Sequence, residues 1–317
     1  MFVSLTPSVA TVDANGILTG IGVGTAIVKV ISTKYPSLTS TCAVTVKMRG
    51  TADFPYLIYT VQDLIHVRNL INSDDSGIYS NKVYMLMTDL DMSSEATWIP
   101  IGNEKNMFTG VFNGNGKTIV NIRIGTENSK ASIMYSGFFG NIKNGEVNNL
   151  NLKWSIQNIL SSSSYSGGIA GYVSGGVITN CYSTGNISSS SYSSYSGGIA
   201  GYVSGYVSVK YCLALCVSVT ANGSSTSNSF PQRIAYFSSS DSSAENNFAS
   251  KSMTVKNRNG SVVNFSSNIK NHGYDLIAEP IDLLNDYVSK NTQLGGIILL
   301  KWKVQSGVNN DYPVFAE

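Results

Sequence analysis

Residues Tyr165 to Gly175 and Tyr195 to Gly205 read YSGGIAGYVSG twice, identical at all eleven positions and 30 residues apart. Thirty residues upstream, Tyr135-Ser136-Gly137-Phe138-Phe139-Gly140 opens the same way. A second series runs beside it: Asn121-Ile122, Asn149-Leu150, Asn180-Cys181, Tyr211-Cys212 and Asn247-Phe248, in steps of 28, 31, 31 and 36 residues. Self-similarity at this period marks a solenoid. Each repeat carries short apolar strands and Gly/Asn turns and cannot bury its apolar face alone. Stacked turns about 4.8 Å apart form one continuous core.

Composition agrees on strands and turns. Charged residues are only 13% of the 317, while Ser, Asn and Gly number 47, 31 and 30. Such a mixture, poor in strong helix formers, favours strands and turns. The predicted fold is all-β: a parallel β-helix over residues 48–317, preceded over 1–47 by part of a β-sandwich. Ile122, Leu150, Cys181, Cys212 and Phe248 are expected to be successive rungs of one interior stack. The Asn that precedes most of them suits a left-handed corner or a hydrogen bond along the stack. Adjacent side chains in such a stack point the same way, so Cys181 and Cys212 are expected as thiols. Cys42 and Cys216 are read likewise as small buried hydrophobes.

One helix interrupts the pattern near 60–73. Thr60 caps it, with Asp63 as the capping-box acid. Leu64, Val67, Leu70 and Ile71 form its apolar face, expected to cover the open end of the coil. A second helical stretch is expected from Pro280 through Leu283, Leu284 and Tyr287. A last strand is expected from Ile297 to Val304 with Trp302 buried.

Residues 1–47 read as strand, Asn-Gly turn, strand at SVATVDANGILTG, then GTAIVKV and CAVTVK. These pieces resemble the second half of a group 2 bacterial immunoglobulin-like domain. That family's opening strands would precede Ser4. Nothing after Met1 resembles a signal peptide. Met1 is therefore read as an internal start, with an export signal upstream.

The rest resembles the GLUG-motif family of bacterial surface proteins. The matching residues are Trp98-Ile99-Pro100-Ile101-Gly102, Phe108 through Ile119 (FTGVFNGNGKTI), Gly137-Phe138-Phe139-Gly140, Gly167-Gly168-Ile169-Ala170-Gly171, Trp302 and Asp311-Tyr312-Pro313-Val314. Asn113 stands where the family commonly has Asp. The resemblance implies a right-handed parallel β-helix, export to the bacterial cell surface and an adhesin-like role.

The charge balance argues against a nucleic-acid grip, since 21 basic and 19 acidic residues leave a net charge of +2. The longest apolar run, Leu294 to Leu300, is seven residues, too short for a membrane-spanning helix. No cofactor is implied. Chemistry finds little support either. Tyr165 to Val219 contains one charged residue, Lys210, so no carboxylate pair lies there. Asp89 and Asp91 read as a strand end, and Asp74-Asp75 as a turn. His66 reads as a helix-surface residue and His272 as a turn. The HExxH of IgA-cleaving relatives is missing from this sequence. The chain is expected not to be an enzyme.

Binding is the leading expectation. Roughly 30 residues per turn exceed what three short strands need. The excess is assigned to Ser/Tyr-rich bulges at Ile159–Ser166 and Ile187–Ser196, projecting from one flank. Tyr165, Tyr192 and Tyr195 would stand there among uncharged hydroxyls, and Tyr172, Tyr202 and Tyr206 would extend the patch. The expected ligand is a glycan or a surface protein. A plain stalk and a carbohydrate-active enzyme are the alternatives.

Overall fold

The computed structural model describes residues 1–125, 133–161, 165–263 and 269–276, with isolated residues and short strands beyond. The chain divides into two compact units, Met1–Pro55 and Tyr56–Glu317.

In the first unit, strands Phe2–Ser4, Gly24–Ile31 and Thr39–Val46 form an antiparallel sheet with Gly24–Ile31 central. Ala10–Val12 and Leu18–Gly20 form the expected hairpin. Its turn is held by Asp13 Oδ1, which accepts the N–H groups of Asn15 at 2.9 Å and Ile17 at 2.8 Å. Gly16 supplies the positive φ (84°) that this turn requires. Ala10, Ala26 and Val28 are buried. Cys42 departs from expectation: its thiol is exposed. It sits on Thr39–Val46, which is an edge strand.

The second unit is a parallel β-solenoid of about six turns with three faces. The first face holds Tyr56–Ile58, Val83–Leu86, Val111–Asn113, Phe139–Asn148, Ala170–Thr179 and Ala200–Lys210, followed by Ala235–Phe237 and Ser243–Glu245. The second includes Leu90–Asp91, Thr118–Ile124, Asn151–Ser161, Tyr182–Ser190 and Leu213–Asn222. The third is Tyr135–Ser136, Tyr165–Gly167, Ser194–Gly197 and Ser229–Gln232. The two identical repeats lie in register: Tyr165 pairs Tyr195, Ala170 pairs Ala200 and Tyr172 pairs Tyr202. Val147, Ile178 and Val209 form one such inward rung series, each fully buried. Burying one aliphatic side chain of this size contributes about 1.5–3 kcal/mol, so the stacked turns share their stability.

The corners follow the Asn series. Asn121, Asn149, Asn180 and Tyr211 all have φ between 52° and 59°. Asn180 Nδ2 donates to Asn149 Oδ1 at 2.8 Å, and Asn149 Nδ2 to Asn113 Oδ1 at 3.2 Å, so the amides also bond along the stack. The expected apolar rungs hold only at the centre, where Leu150, Cys181 and Cys212 are successive. Ile122 instead pairs with Trp154. Phe248 pairs with Leu213, which puts Asn247 on the rung after Cys212. There Asn247 Oδ1 accepts the Cys212 N–H at 3.0 Å, and Nδ2 donates to the Val209 carbonyl at 2.7 Å. Phe248 packs in a separate outer cluster with Tyr182, Tyr211, Leu213, Leu215 and Trp302. Cys181, Cys212 and Cys216 are buried free thiols.

The second Ser-rich stretch, 187–196, is a wall rather than a bulge. Strands Tyr182–Ser190 and Ser194–Gly197 absorb most of 187–196, leaving only 191–193 between them. Ser189, Ser194 and Ser196 are buried. The Ser189 and Ser196 hydroxyls bond each other at 2.7 Å, Ser196 donates to the Thr220 carbonyl at 2.7 Å, and Ser194 to the Asn222 carbonyl at 3.1 Å. A hydroxyl that finds a backbone acceptor can be buried at little net cost, which is why serine content misreads as a solvated loop. In the upstream stretch, strands Asn151–Ser161 and Tyr165–Gly167 flank residues 162–164, which lie outside the described residues.

Helix α1, Val61–Asn72, carries the expected capping box between Thr60 and Asp63. Leu64, Val67 and Ile71 join the solenoid core, whereas Leu70 is only half-buried and Arg68 takes its place. The Arg68 guanidinium lies 5.1 Å from the Trp98 ring centroid. The helical stretch expected from Pro280, with Leu283, Leu284 and Tyr287, lies outside the described residues. The last strand is two separate pieces, Ile297–Ile298 and Trp302–Val304, each paired antiparallel with a different segment. Trp302 is buried as expected and donates its indole N–H to Asn180 Oδ1.

Candidate functional site: a tyrosine ladder on the solenoid

The first and third faces meet at the Gly-Gly-Ile-Ala-Gly corner. A Cβ built on Gly171 would stand 2.7 Å from the Ser136 nitrogen, and one on Gly201 2.6 Å from the Ser166 nitrogen. Only glycine lets the two faces approach this closely. The next residues, Tyr172 and Tyr202, are thereby brought against rings from the third face.

Two rows result. Tyr135, Tyr165, Tyr195 and Phe230 stack in order along the third face, at centroid separations of 5.6, 5.3 and 4.5 Å. Tyr172, Tyr202 and Tyr236 stack along the first, at 5.6 and 5.4 Å. Between rows the contacts are mostly edge-on, as in Tyr195 against Tyr202 at 4.9 Å and 90°. Both geometries suit the ring quadrupole. All seven rings are half-buried. Within each row the faces cover one another, so edges and hydroxyls are what the ladder offers outward. Tyr172 Oη bonds Ser204 Oγ at 2.9 Å. Burial, with lesser contributions from neighbouring phenols and, at Tyr135, from the Glu104 charge, raises the pKa of Tyr135, Tyr165 and Tyr195 above the ordinary value. These three phenols are therefore uncharged at neutral pH.

Of the residues expected from sequence, Tyr165, Tyr195, Tyr172 and Tyr202 come together. Tyr192 and Tyr206 do not join the ladder; they are 77% and 80% exposed. Tyr135, Phe230 and Tyr236 complete it and were not foreseen. The Tyr135 signal was available, because its turn opens the same repeat. Phe230 and Tyr236 were hidden because their turn reads FPQRIAY and drops one residue between Ala235 and Tyr236 relative to Ala200-Gly201-Tyr202.

The aspartates weighed from the sequence are occupied structurally. Asp89 Oδ1 accepts the Thr118 N–H at 2.7 Å. Asp91 Oδ1 accepts Ser93 N–H at 2.9 Å and Asn121 Nδ2 at 2.8 Å. Asp74 receives the N–H groups of Ile78, Tyr79 and Ser80. Burial pushes its pKa up, but these donors outweigh it and hold the carboxyl below its ordinary value. His66 is exposed on the helix as expected. His272 ends a short helix and is 5% exposed, with Nδ1 accepting the Arg233 N–H at 3.3 Å. Among the described residues no group of three His, Cys, Asp or Glu side chains could hold a metal ion. No described helix is long and apolar enough to cross a membrane.

Residues 1–48 match the Bacterial Ig-like domain family, and residues 162–188 match the GLUG motif. A candidate Gly-rich membrane protein of Evansella cellulosilytica is 36% identical over 109 residues, 32% of this chain and 11% of that protein. Halomucin of Haloquadratum walsbyi is 30% identical over 149 residues, 44% of this chain and 2% of halomucin. The chain thus spans a small part of the length of these relatives. Among solved structures, that of a candidate immunoglobulin A1 protease from Bacteroides ovatus aligns with a TM-score of 0.45 and 20% identity, over 84% of this chain and 94% of that one. The chain is thus a parallel β-solenoid that carries a GLUG-motif match at residues 162–188, preceded by a segment that matches the bacterial Ig-like domain at residues 1–48.

Proposed function

We propose that this chain is part of an extracellular bacterial surface protein that binds without catalysis, and that the tyrosine ladder is its contact surface for neutral, hydroxyl-rich glycans. The observation that carries the reading is the ladder itself: seven half-buried rings in two rows, presenting edges and phenol hydroxyls. Tyrosine combines an apolar body with a polar tip at low entropy cost. Both suit a polymer that alternates C–H faces with hydroxyls. The absence of charge on the ladder disfavours polyanionic ligands, which need a basic surface. The names of the relatives, a Gly-rich membrane protein and halomucin, support a surface location. Asp74, Asp89 and Asp91, the aspartates weighed for a glycosidase pair, are engaged as turn and strand-end acceptors.

A second reading, a non-binding stalk, is favoured by one feature: the ring faces are spent on one another, which braces the turns. A glycan and mucin array separates the two. The full chain is compared with a Tyr165→Leu/Tyr195→Leu variant and a Tyr192→Ala/Tyr206→Ala variant, with circular dichroism checking the fold of each. Losing two central aromatic contacts is expected to weaken binding at least about tenfold, the scale of one modest interface anchor. The Tyr192/Tyr206 variant should bind like the parent. Silence of the parent protein on every glycan would favour the stalk.

A further inference from the structure

Among the described residues the third-face row ends at Tyr135, which meets Tyr165 and Tyr172 and no ring of the preceding turn. Tyr135 stacks on Tyr165 on one side. On its other side lies the preceding turn, whose Ile101 bridges Phe139. There Tyr135 lines a cavity of about 250 Å³ with Ile99, Pro100, Met134, Asn103 and Glu104. Ile99 and Met134 are 53% and 46% exposed, so the apolar wall is open to solvent.

The polar groups of this wall are one-sided. Asn72, which also lines it, donates to the Pro100 carbonyl at 2.9 Å and accepts the Gly102 N–H at 2.7 Å. Asn103 donates to the Asn72 carbonyl at 3.0 Å and accepts from Lys105 and Asn106. Lys105 is ion-paired with Asp75 at 2.8 Å. Both amide side chains are thus tied to the backbone and Lys105 to Asp75. The exposed Glu104 carboxylate has no hydrogen bond or ion pair among the described residues. It is close enough to raise the Tyr135 phenol, after burial itself. On the strand beside the cavity, Asn141 stands where later turns place Tyr172 and Tyr202. Asn141 does not line the cavity, so the row of first-face rings stops short of it. An apolar wall, an aromatic ring and an unpaired carboxylate together suit a group with an apolar stem and a positive charge.

We infer that the cavity at Tyr135 is a binding site for an alkylammonium group, and specifically for a lysine side chain of a partner protein, with its methylene stem along Ile99, Pro100 and Met134 and its ammonium between the Tyr135 ring and Glu104. Cation–π attraction and an opposite charge act together there. A lysine stem lies on apolar surface while its head keeps partners, which matches this wall. The site goes beyond the glycan reading and does not depend on it.

The test titrates the full chain with Nα-acetyl-lysine methylamide and with the uncharged Nα-acetyl-norleucine methylamide, followed by NMR. The lysine probe should saturate, and the norleucine probe should bind about tenfold more weakly, the scale of a partly exposed charged contact. Glu104→Gln, an exposed substitution that leaves the fold intact, should erase that difference. Tyr135→Leu should weaken the lysine probe at least several-fold, while Tyr195→Leu, remote from the cavity, should not. Equal binding of the two probes, an unaffected Glu104→Gln variant, or failure of the lysine probe to saturate would each overturn the inference. The array binding of Glu104→Gln should equal the parent's, so failure here is distinct from failure of the glycan reading.

Discussion

Replacing Gly201 by alanine would test the corner on which the ladder depends. A Cβ there would lie 2.6 Å from the Ser166 nitrogen, 2.7 Å from the Gly171 carbonyl oxygen and 3.0 Å from the Ser166 carbonyl carbon. All three atoms are backbone of the preceding turn, so no side chain can swing away. Relief requires the turns to separate locally. Overpacking against yielding side chains costs about 1–3 kcal/mol, and an unyielding backbone puts this case at the upper end, about 3 kcal/mol. For a unit of this size, about 3 kcal/mol corresponds to a fall in Tm of roughly 6–12 °C. Because Tyr202 follows directly and touches Tyr165, Tyr195 and Tyr236, the near-ultraviolet circular dichroism of the tyrosines should also diminish. Gly205→Ala is the control. Gly205 has φ +69° but nothing within 4 Å of a built Cβ, so only conformational strain of about 1 kcal/mol is expected. The assay is thermal melting of both variants beside the parent. A Gly201→Ala protein that melts no lower than Gly205→Ala, with its tyrosine signal intact, would refute the idea that backbone contact at this corner sets the ladder.

Three further outcomes follow from the interior. Burial raises the Glu146 carboxyl above its ordinary value, although Asn148 Nδ2 donates to it at 3.0 Å. The stability it contributes is present below the free-carboxyl range and lost as pH rises through the folded value, so at pH 7 its charge is a cost. Glu146→Gln should therefore melt higher than the parent at pH 7, with the advantage shrinking towards pH 4, in a pH series of melts. His272 behaves oppositely: burial, then the Arg233 charge, lowers it to about 4. The unfolded chain takes the proton first, so stability should decline from about pH 6.5 to 4, and His272→Gln should flatten that part of the same pH series. Among the cysteines, native protein should take up one maleimide, at Cys42, and denatured protein four, counted by mass spectrometry. Cys181 and Cys216 are buried, and burial pushes the Cys216 thiol up to about 12.

The solenoid, the register of the two identical turns, the left-handed Asn corners and the Thr60 capping box were all legible in the sequence. Each is written in local signals: an exact repeat fixes which residues lie above one another, an Asn tolerates positive φ, and a cap needs only residues three apart. The four central ladder tyrosines were named for the same reason. What failed was reading beyond equal-length repeats. Ile122 and Phe248 left the expected stack because stacking register is set by pairing with the neighbouring turn, and the steps at both ends differ from those at the centre. Phe230 and Tyr236 joined the ladder through a turn that lacks one residue, which a search for identity passes over. The serines were misplaced because a hydroxyl is buried or solvated according to whether a carbonyl stands within reach, as Thr220 and Asn222 do. Tyr192 and Tyr206, indistinguishable in composition from their neighbours, ended outside. Sequence thus determined the repeating path of the chain. Tertiary structure decided which side of each strand met another ring, because two faces touch only where glycines let backbone approach backbone, and that is a contact between residues about 35 apart.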